Sequence, residues 1–361
     1  MKNESEIKAY RKIERDFSQE YKDLKSCLDN LLILAKNIES PILRIMKPTI
    51  LLNIRWKYDY LTKTRQSLFL LKTDIDYWAN TLKMLKNLSM QDWFECSQVN
   101  KKEDVWLRTK ELFNFIWPRN TKGESFSKFV QMAELRMDQI ISLMDCEGKN
   151  IKNWNIFDSG CGPGRYINAL LKYNPLKCIG MDSGRDIVDA NRERFADYPN
   201  VEIKLGDCAS LPEDDSSCDF VISNGVLHHL PNPTEDLIKE HSRIVKPSGY
   251  FFIFVVGEAG FDSEIRKFMR EFLYDIPVEA LYDVFAGRIS DMRLQGMLDY
   301  GYGEYQQTNR HSMEQWLSNS FSEIQRVPGI EGMDVTEEVF ENDMYFKYRF
   351  GSGDLRYLCR K

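Results

Sequence analysis

The chain has 361 residues, of which 43% are hydrophobic and 29% are charged, and its formal net charge is −6. This length is enough for two domains, and the composition is that of an ordinary globular protein. An acidic chain with no basic stripe is not typical of proteins that hold nucleic-acid backbones, so a nucleic-acid partner is not expected.

The sequence shows neither a membrane-spanning or signal segment nor a paired-cysteine motif. The longest apolar run, residues 250–256, is far shorter than the ~20 residues that span a bilayer, and the amino terminus lacks the apolar segment of a signal peptide. The eight cysteines form no CxxC pair, which argues against a zinc site or a redox motif. The sequence therefore predicts a cytoplasmic protein with no membrane span and no bound metal.

Residues 1–150 contain few glycines and show the three- and four-residue spacing of amphipathic helices. One apolar stripe covers residues 21–38 and is ended by Pro41, a second runs from Leu61 to Leu85, and a third runs from Phe126 to Met144. Most of the tryptophans also fall here, and we interpret them as core residues of a helical bundle; they are at positions 56, 78, 93, 106 and 117. We therefore predict an α-helical amino-terminal domain over residues 1–150.

From residue 151 the pattern changes to short apolar runs separated by turns and helical stretches. Buried strands are predicted at residues 155–158, 177–182, 201–205, 220–223 and 250–256, with helices beginning near Gly164, Arg185 and Thr234. Strands and helices that alternate at this spacing indicate an α/β fold with a doubly wound, mostly parallel sheet. A ligand is expected at the carboxyl ends of the strands of such a sheet.

A glycine-rich turn follows the first of these strands. It reads Asp158-Ser-Gly160-Cys-Gly162-Pro-Gly164 and leads directly into a helix. Glycines let the backbone turn sharply and approach a ligand closely. Dinucleotide-binding folds use the spacing GxGxxG to hold a pyrophosphate, whereas here an acid stands two residues before a GxGxG run. A carboxylate at that point suits a ligand with an ammonium group.

Acidic residues also follow the next two strands. Asp182 ends the second strand, where a carboxylate can accept hydrogen bonds from both hydroxyls of a ribose. Asp207 and Cys208 follow the third strand, where a carboxylate can accept from an adenine amino group and a backbone N–H can donate to a ring nitrogen. The fourth strand leads into the segment that contains Asn224. Because the carboxyl ends of parallel strands share one edge of a sheet, these residues predict a single ligand site.

The motifs D-S-G-C-G-P-G, G-D-C-A, S-N-G-V-L-H-H-L and V-K-P-S-G, together with the acidic strand end, resemble the class I methyltransferase family. They are most similar to its small-molecule group, which includes ubiquinone- and menaquinone-biosynthesis enzymes. The resemblance covers about residues 155–256 and implies a seven-stranded Rossmann-like sheet with an antiparallel last strand. Residues 324–327 and either 344–350 or 355–358 are the candidates for the closing strands.

The resemblance also implies S-adenosyl-L-methionine as the cofactor and a role for each motif. Asp158 and the glycines at 160, 162 and 164 would face the methionine moiety, Asp182 the ribose, and Asp207 with Cys208 the adenine. Asn224 would close the site on the side of the fourth strand. Arg136, on the helix predicted over residues 126–144, is expected either to reach the methionine carboxylate or to be a surface arginine.

Three histidines are candidate general bases, because methyl transfer needs a base only when the acceptor must lose a proton. His228 and His229 follow the fourth strand, and His311 precedes a late predicted helix. A histidine with an unperturbed pKa near 6.5 titrates in the working range of most enzymes. The alternative for each of the three is a structural role, in which the histidine packs in the fold and is held by hydrogen bonds.

Residues 257–309 form a long insertion with many aromatic side chains. We expect either an extra packed helical subdomain or an acceptor lid, with hinges at Gly296, Gly301 and Gly303. The predicted organisation is thus a helical domain (1–150), serving the acceptor pocket, a homodimer interface or both, and a methyltransferase domain (151–361) with this helical lid insertion.

The predicted function is methyl transfer from S-adenosyl-L-methionine to a small or medium organic acceptor, with O-methylation slightly favoured because the insertion is aromatic. Three alternatives remain open. A nicotinamide-dependent dehydrogenase is disfavoured by the missing GxGxxG spacing and by Asp207. A non-catalytic scaffold that binds S-adenosyl-L-methionine would show the same motifs, and a methyltransferase for protein or RNA is disfavoured mainly by the acidic charge.

Overall fold

The computed structural model describes residues 4–38, 41–89, 105–119, 123–144, 151–258, 260–286, 289–340 and 345–361. Trp93, Cys96 and Cys146 lie outside these ranges. Within them, no helix is both long and apolar enough to cross a membrane.

The chain divides into two compact units, each assembled from three segments. The first, here called the helical unit, consists of Met1–Lys102, Ala259–Tyr302 and Phe340–Gly351. The second, the sheet unit, consists of Glu103–Glu258, Gly303–Val339 and Ser352–Lys361.

Among the described residues, the sheet unit contains seven strands. They are β1 (Asn155–Ser159), β2 (Lys177–Asp182), β3 (Val201–Leu205), β4 (Cys218–Asn224), β5 (Val245–Val256), β6 (Glu323–Arg326) and β7 (Asp354–Arg360). Their order is β3-β2-β1-β4-β5-β7-β6; β1 to β5 are parallel, and β7 runs antiparallel to both β5 and β6. The doubly wound Rossmann-like sheet with an antiparallel last strand is therefore confirmed. Its central strands are apolar along their length because both faces of such a sheet are covered.

The helices of the described ranges complete both units. In chain order they are α1 (Glu4–Lys36), α2 (Pro41–Lys63), α3 (Leu70–Ser89), α4 (Val105–Arg119), α5 (Gly123–Leu143), α6 (Arg165–Leu171), α7 (Arg185–Arg194), α8 (Thr234–Ile244), α9 (Phe261–Phe272), α10 (Val278–Phe285), α11 (Asp291–Gly301), α12 (Arg310–Ser318) and α13 (Phe346–Phe350). In the sheet unit, α5 packs on α6, α4 packs on α7, and α12 packs on α8 and β6. The starts predicted for α6, α7 and α8 are confirmed to within one residue.

Of the two candidates for the closing strand, residues 355–358 are right. They form the centre of β7, whereas Phe346–Phe350 is the short helix α13, and Met344 lies outside the described residues. The chain leaves α13 through Gly351 and Gly353, whose φ angles of 60° and 64° are accessible mainly to glycine. This turn allows a helix and a strand to follow each other within three residues.

In the helical unit, α1 packs on α3 and α9, and α2 packs on the same two helices. Arg349 of α13 is fully buried, and its guanidinium donates to the carbonyls of Thr62 at 3.2 Å and Gln66 at 2.6 Å. These carbonyls lie at the carboxyl end of α2, where the helix dipole favours a cation. Arg349 thereby ties the last segment of the unit to the first.

The predicted domain boundary at residue 150 differs from this division. Helices α4 and α5 belong to the sheet unit, and residues 259–302 of the insertion belong with residues 1–102. The apolar stripe predicted as one helix from Leu61 to Leu85 is also two helices, α2 and α3, separated by a turn in which Arg65 has a φ of 54°. Periodicity identifies a helical face, but it does not identify the surface that covers the face.

Two of the three glycines predicted as lid hinges lie in packed or regular backbone. Gly296 is inside α11, and Gly301 ends that helix so close to Met269 that a Cβ there would lie 2.2 Å from its Cε. A hinge needs backbone that can change its torsion angles, so neither position is suited to that role.

Candidate functional site

The glycine-rich turn after β1 forms a tight loop over the end of β2. Gly160, Gly162 and Gly164 have φ angles of 70°, 49° and 73°, a region that other residues rarely adopt. The backbone N–H groups of Gly160 and Cys161 donate to the carbonyl of Met181 at 2.8 and 2.9 Å. The sequence therefore needs glycine here for the turn itself, and the loop places bare backbone at the carboxyl edge of the sheet.

The surroundings of these glycines are not alike. A Cβ at Gly160 would lie 2.5 Å from Val226, and one at Gly164 would lie 2.6 Å from Phe195, so both positions are closed by apolar side chains. At Gly162 the nearest group is the indole of Trp117, at 3.5 Å. Of the three glycines, Gly162 is thus the one whose Cβ position faces an aromatic side chain at ordinary contact distance.

Asp158 lies at the end of β1, directly before the loop. Its side chain is buried, and its Oδ2 has no hydrogen-bond partner among the described residues. Burial raises the pKa of this carboxyl to about 7, although the charge of Arg165 acts in the opposite direction. A buried carboxyl that lacks a donor is costly unless a ligand supplies one, and an ammonium group would satisfy it.

Asp182, at the end of β2, organises the backbone around the same edge. Its Oδ2 accepts from the N–H of Gly162, and its Oδ1 accepts from the N–H of Gly184, both at 2.9 Å. Burial raises the pKa of Asp182, whereas these N–H donors and the charge of Lys110 lower it. Each carboxylate oxygen can accept a second hydrogen bond, so Asp182 can still receive the hydroxyls of a ribose.

One face of α4 lies along this edge, a contribution that the sequence analysis missed. Trp117 borders Gly162, and Phe113 stacks on Trp117 with ring centroids 6.1 Å apart. Asn114 lies beside Gly184, with its Oδ1 3.1 Å from the Cβ position of that glycine. The signal was the spacing of polar and aromatic residues at 110, 113, 114 and 117, which repeats at the helical period.

Asp207 and Cys208 follow β3 as expected, but their side chains differ. Asp207 is exposed, and its Oδ1 accepts from the N–H of Ala209 at 2.9 Å. The thiol of Cys208 is packed in the core, where burial raises its pKa to about 12. Of Cys208, only the backbone N–H is thus suited to donate to an adenine ring, whereas the exposed carboxylate of Asp207 can still accept a hydrogen bond.

Asn224 closes the site at the end of β4. Its Oδ1 accepts from the hydroxyl of Tyr166, at 2.9 Å, and Tyr166 stands on the first turn of α6. This hydrogen bond links the strand that precedes the histidines to the helix that follows the glycine loop.

His228 and His229 lie on a short 3-10 helix after β4, and both are buried. Their rings are 4.3 Å apart; Phe113 lies 4.8 Å from His229, and Tyr305 lies 6.2 Å from each histidine. Nδ1 of His229 is 2.8 Å from the carbonyl of Glu304. A carbonyl can only accept, so the proton of neutral His229 sits on Nδ1 and its basic lone pair sits on Nε2.

His311 is not part of this cluster. It is exposed on the first turn of α12, the helix that packs on α8 and β6. Its exposure on a surface helix gives the ring of His311 no enclosed site in which to act as a base.

Arg136 is neither a surface arginine nor placed for the role predicted from the sequence. It is 2% exposed, and its guanidinium is held by the carboxylate of Asp334, by Gln139 at 2.6 Å and by the carbonyl of Pro328 at 3.3 Å. Asp334 also pairs with Arg356 at 2.9 Å. Breaking a buried ion pair leaves an uncompensated charge, so it is costly for Arg136 to leave Asp334 and bind a ligand.

Comparison with known proteins identifies a domain in the part of the chain that contains this edge of the sheet. Residues 157–253, which run from β1 through the glycine loop to β5, match the methyltransferase domain family. These residues therefore form a domain of the class I S-adenosyl-L-methionine-dependent methyltransferase type. The match includes Asp158, Asp182, Asp207 and Asn224, and it leaves out α4, α12 and the insertion.

Three relatives show how far the similarity to known proteins extends along this chain. An uncharacterized 37.1 kDa protein in transposon TN4556 of Streptomyces fradiae is 38% identical over 108 residues, 29% of this chain and 30% of that protein. Malonyl-(acyl-carrier protein) O-methyltransferase of Marinomonas sp. is 26% identical over 146 residues, 40% and 52% of the two chains. Ubiquinone biosynthesis O-methyltransferase of Coxiella burnetii is 26% identical over 182 residues, 50% and 68%. The chain thus spans less than two thirds of the first two.

Proposed function

We propose that this methyltransferase is an active enzyme that transfers a methyl group to a small or medium organic acceptor at the carboxyl edge of the sheet unit. The observation that carries the proposal is the buried Asp158, whose Oδ2 has no partner among the described residues and which adjoins three positive-φ glycines. When bound, S-adenosyl-L-methionine supplies a methyl group on an activated sulfonium. The residues of this chain then have to hold the cofactor, exclude water and, for some acceptors, remove a proton.

On the cofactor side, Asp158 is proposed to accept from the ammonium group, Asp182 from the ribose hydroxyls and Asp207 from the adenine. Because Arg136 is engaged by Asp334, another cation must face the cofactor carboxylate. We assign this role to Arg165, the first residue of α6, whose charge already acts on Asp158. Replacing Arg165 by Met should weaken cofactor binding, whereas replacing Arg194, which stacks on Phe126 at 3.9 Å, should not.

On the acceptor side, His228 and His229 are the proposed bases. Their aromatic surroundings, made by Phe113, Phe254 and Tyr305, suit an acceptor with an apolar or planar body. A hydroxyl acceptor must lose its proton, and Nε2 of neutral His229 can take one. This supports O-methylation over methylation at nitrogen or carbon, and two of the relatives are named O-methyltransferases.

A homodimer remains a further proposal. It is supported by large apolar side chains exposed on the helical unit, such as Ile45 at 77% and Met84 at 67%. Sedimentation of the purified protein over a range of concentrations measures it, and Ile45→Asp with Met84→Asp should shift the distribution to monomer. A single monomeric species for the unmodified chain would contradict it.

The experiment that tests the main proposal uses S-adenosyl-L-methionine with a labelled methyl group and fractionated cell extract. We expect label in the small-molecule fraction, and none when Gly162→Arg replaces the unmodified chain. Label in the RNA or protein fraction would show a macromolecular acceptor instead. Cofactor binding with no transfer to any fraction would identify the non-catalytic scaffold.

A further inference from the structure

The helical unit contains a cavity of about 230 Å³ that lies between α2, α9 and α11. Leu52, Ile289 and Met297 form its apolar part. Ligand pockets of drug-sized molecules usually measure ~300–1,000 Å³, so this cavity suits a smaller molecule. Its walls all belong to the helical unit, and nothing in the motifs of the methyltransferase domain concerns it.

Two arginines, Arg55 and Arg266, line the cavity, and both contact a buried carboxylate that does not line it. Asp262 of α9 is 7% exposed, and its carboxylate lies 2.5 Å from Nη2 of Arg266 and 3.6 Å from Nη1 of Arg55. Asp262 is not among the lining residues, whereas Asp59, which pairs with Nε of Arg55 at 2.9 Å, is. Two carboxylates therefore balance the two arginines, and of these two only Asp59 lines the cavity.

Arg55 has the donors that an anion would need. A guanidinium carries five N–H groups in a planar fork, and the two carboxylate contacts of Arg55 use fewer than half of them. Because Asp59 and Asp262 fix its orientation, Arg55 loses little conformational freedom when it binds a second carboxylate.

The same cavity presents flat aromatic surfaces. The guanidinium of Arg266 lies over the ring of Tyr300, 4.4 Å from its centroid, and Trp56 lines the cavity while remaining 51% exposed. A tryptophan left half exposed beside a cavity is available for stacking. Planar ligands are favoured over flexible ones because they lose less entropy on binding.

We propose that this cavity binds a small planar carboxylic acid, with the carboxylate at Arg55 and the flat body against Trp56 and the apolar wall. This inference does not rest on the proposed function, since the cofactor site lies in the other unit. The probe is benzoate, and benzamide is its neutral control of almost the same shape.

Gly296 provides a way to fill the cavity without disturbing its charges. It lines the cavity from inside α11, its φ is not positive, and a Cβ placed there would meet no atom within 4 Å. The helix should therefore accept either Ala or Leu at this position. Both residues have a higher helix propensity than Gly. Gly296→Leu is expected to extend into the cavity, and Gly296→Ala is the matched control.

The experiment is calorimetry of the full chain with each probe. Benzoate should bind the unmodified protein and Gly296→Ala with a Kd of roughly 0.1–1 mM, the range expected of so small a ligand, and benzamide should bind at least about tenfold more weakly. Gly296→Leu should lose benzoate binding, and Arg55→Gln should weaken it about tenfold or more, with Arg55→Lys in between.

Two results would overturn the proposal. One is an unmodified chain that does not bind benzoate at millimolar concentrations, and the other is Gly296→Leu that binds it as tightly as Gly296→Ala. Circular dichroism and thermal unfolding of the same samples show that each variant is folded. Since the cofactor is titrated separately, its failure to bind would count against the proposed function and not against this cavity.

Discussion

The indole of Trp117 lies 3.5 Å from the point at which a side chain would begin at Gly162. A helix from outside the matched domain therefore borders the backbone that is proposed to face the methionine moiety of the cofactor. The aromatic face would lie close to the positively charged sulfonium, an arrangement stabilised by cation–π attraction.

Replacing Trp117 by Ala should weaken cofactor binding by about 1–2 kcal/mol, the scale of a desolvated aromatic contact with a cation. Trp117→Phe should retain most of the affinity, because it keeps a ring in place. Calorimetry with S-adenosyl-L-methionine measures both. Trp56→Ala, which removes an exposed tryptophan of the helical unit, is the control, and an equal loss for that variant would argue against a specific role of Trp117.

In the absence of cofactor, Asp158 should lower the unfolding free energy of the protein as the pH rises. Its folded pKa of about 7 lies above the ordinary value of 3.8, so the carboxyl favours the folded state below about pH 4, and this advantage disappears as the pH rises through 7. At 1.36 kcal/mol for each pKa unit, the penalty above pH 7 is at most about 4 kcal/mol. Asp158→Asn should therefore raise the unfolding free energy at pH 8 while abolishing cofactor binding.

The matching measurements are urea unfolding at pH 5 and pH 8 and calorimetry with the cofactor. The gain in stability should appear at pH 8 and be small at pH 5. Since an ammonium group favours the ionised carboxylate, cofactor binding should also release a proton below pH 7 and weaken as the pH falls. Cofactor affinity that does not change between pH 5 and pH 8 would contradict the assignment of Asp158 to the ammonium group.

Replacing His229 or His228 by Gln should lower turnover, by about 10²–10⁴-fold if the replaced ring is the base. Cofactor affinity should change little, since the proposed cofactor contacts are made by other residues. His311→Gln, at an exposed position on α12, is the matched control and should leave turnover unchanged. Normal turnover for both His228→Gln and His229→Gln would mean that proximity alone, or another group, performs the transfer.

His241 should make the fold sensitive to acid. It is fully buried on α8, its Nδ1 donates to the carbonyl of Leu237 at 2.7 Å, and its Nε2 accepts from the hydroxyl of Ser159 at 2.8 Å. Burial lowers its pKa to about 4. The neutral ring therefore favours folding above pH 6.5, and this contribution is lost as the pH falls from about 6.5 to about 4, by at most about 3 kcal/mol.

Thermal unfolding from pH 7 to pH 4 checks this expectation. His241→Gln should be less stable at pH 7, because it disturbs the bond to Ser159, and should lose less stability on acidification. If the difference in stability between the variant and the unmodified chain stays constant across this range, His241 does not cause the acid sensitivity.

The parts of the fold that could be predicted are those encoded over short distances. The sequence predicts β2 and β3 at the residues where they occur, because each is a short segment with apolar residues that is bounded by turn residues. The glycine loop and Asp158 followed from their spacing, and their backbone torsion angles agree with it. Asp182 was likewise recognised from its position at a strand end.

The remaining parts depend on contacts between distant segments. Arg136 is separated from Asp334 by 198 residues, and no local pattern identifies that partner. Trp117 was interpreted as a core residue of a helical bundle, because an aromatic residue on a helix shows the same periodicity whether it faces a bundle or a cofactor loop. The exposure of His311 on α12 likewise depends on how that helix packs, which its local sequence does not show.

The three-segment construction of the helical unit has a consequence for its biosynthesis. Lys25 on α1 pairs with Glu264 on α9, 239 residues further along the chain, and Arg349 joins later still. At the usual ~5–20 residues per second, a ribosome needs roughly 12–50 s between Lys102 and Gly351. During that interval the apolar stripes of α1, α2 and α3 lack the helices that cover them. The nascent chain is therefore expected to need chaperone protection until its last segment emerges from the ribosome.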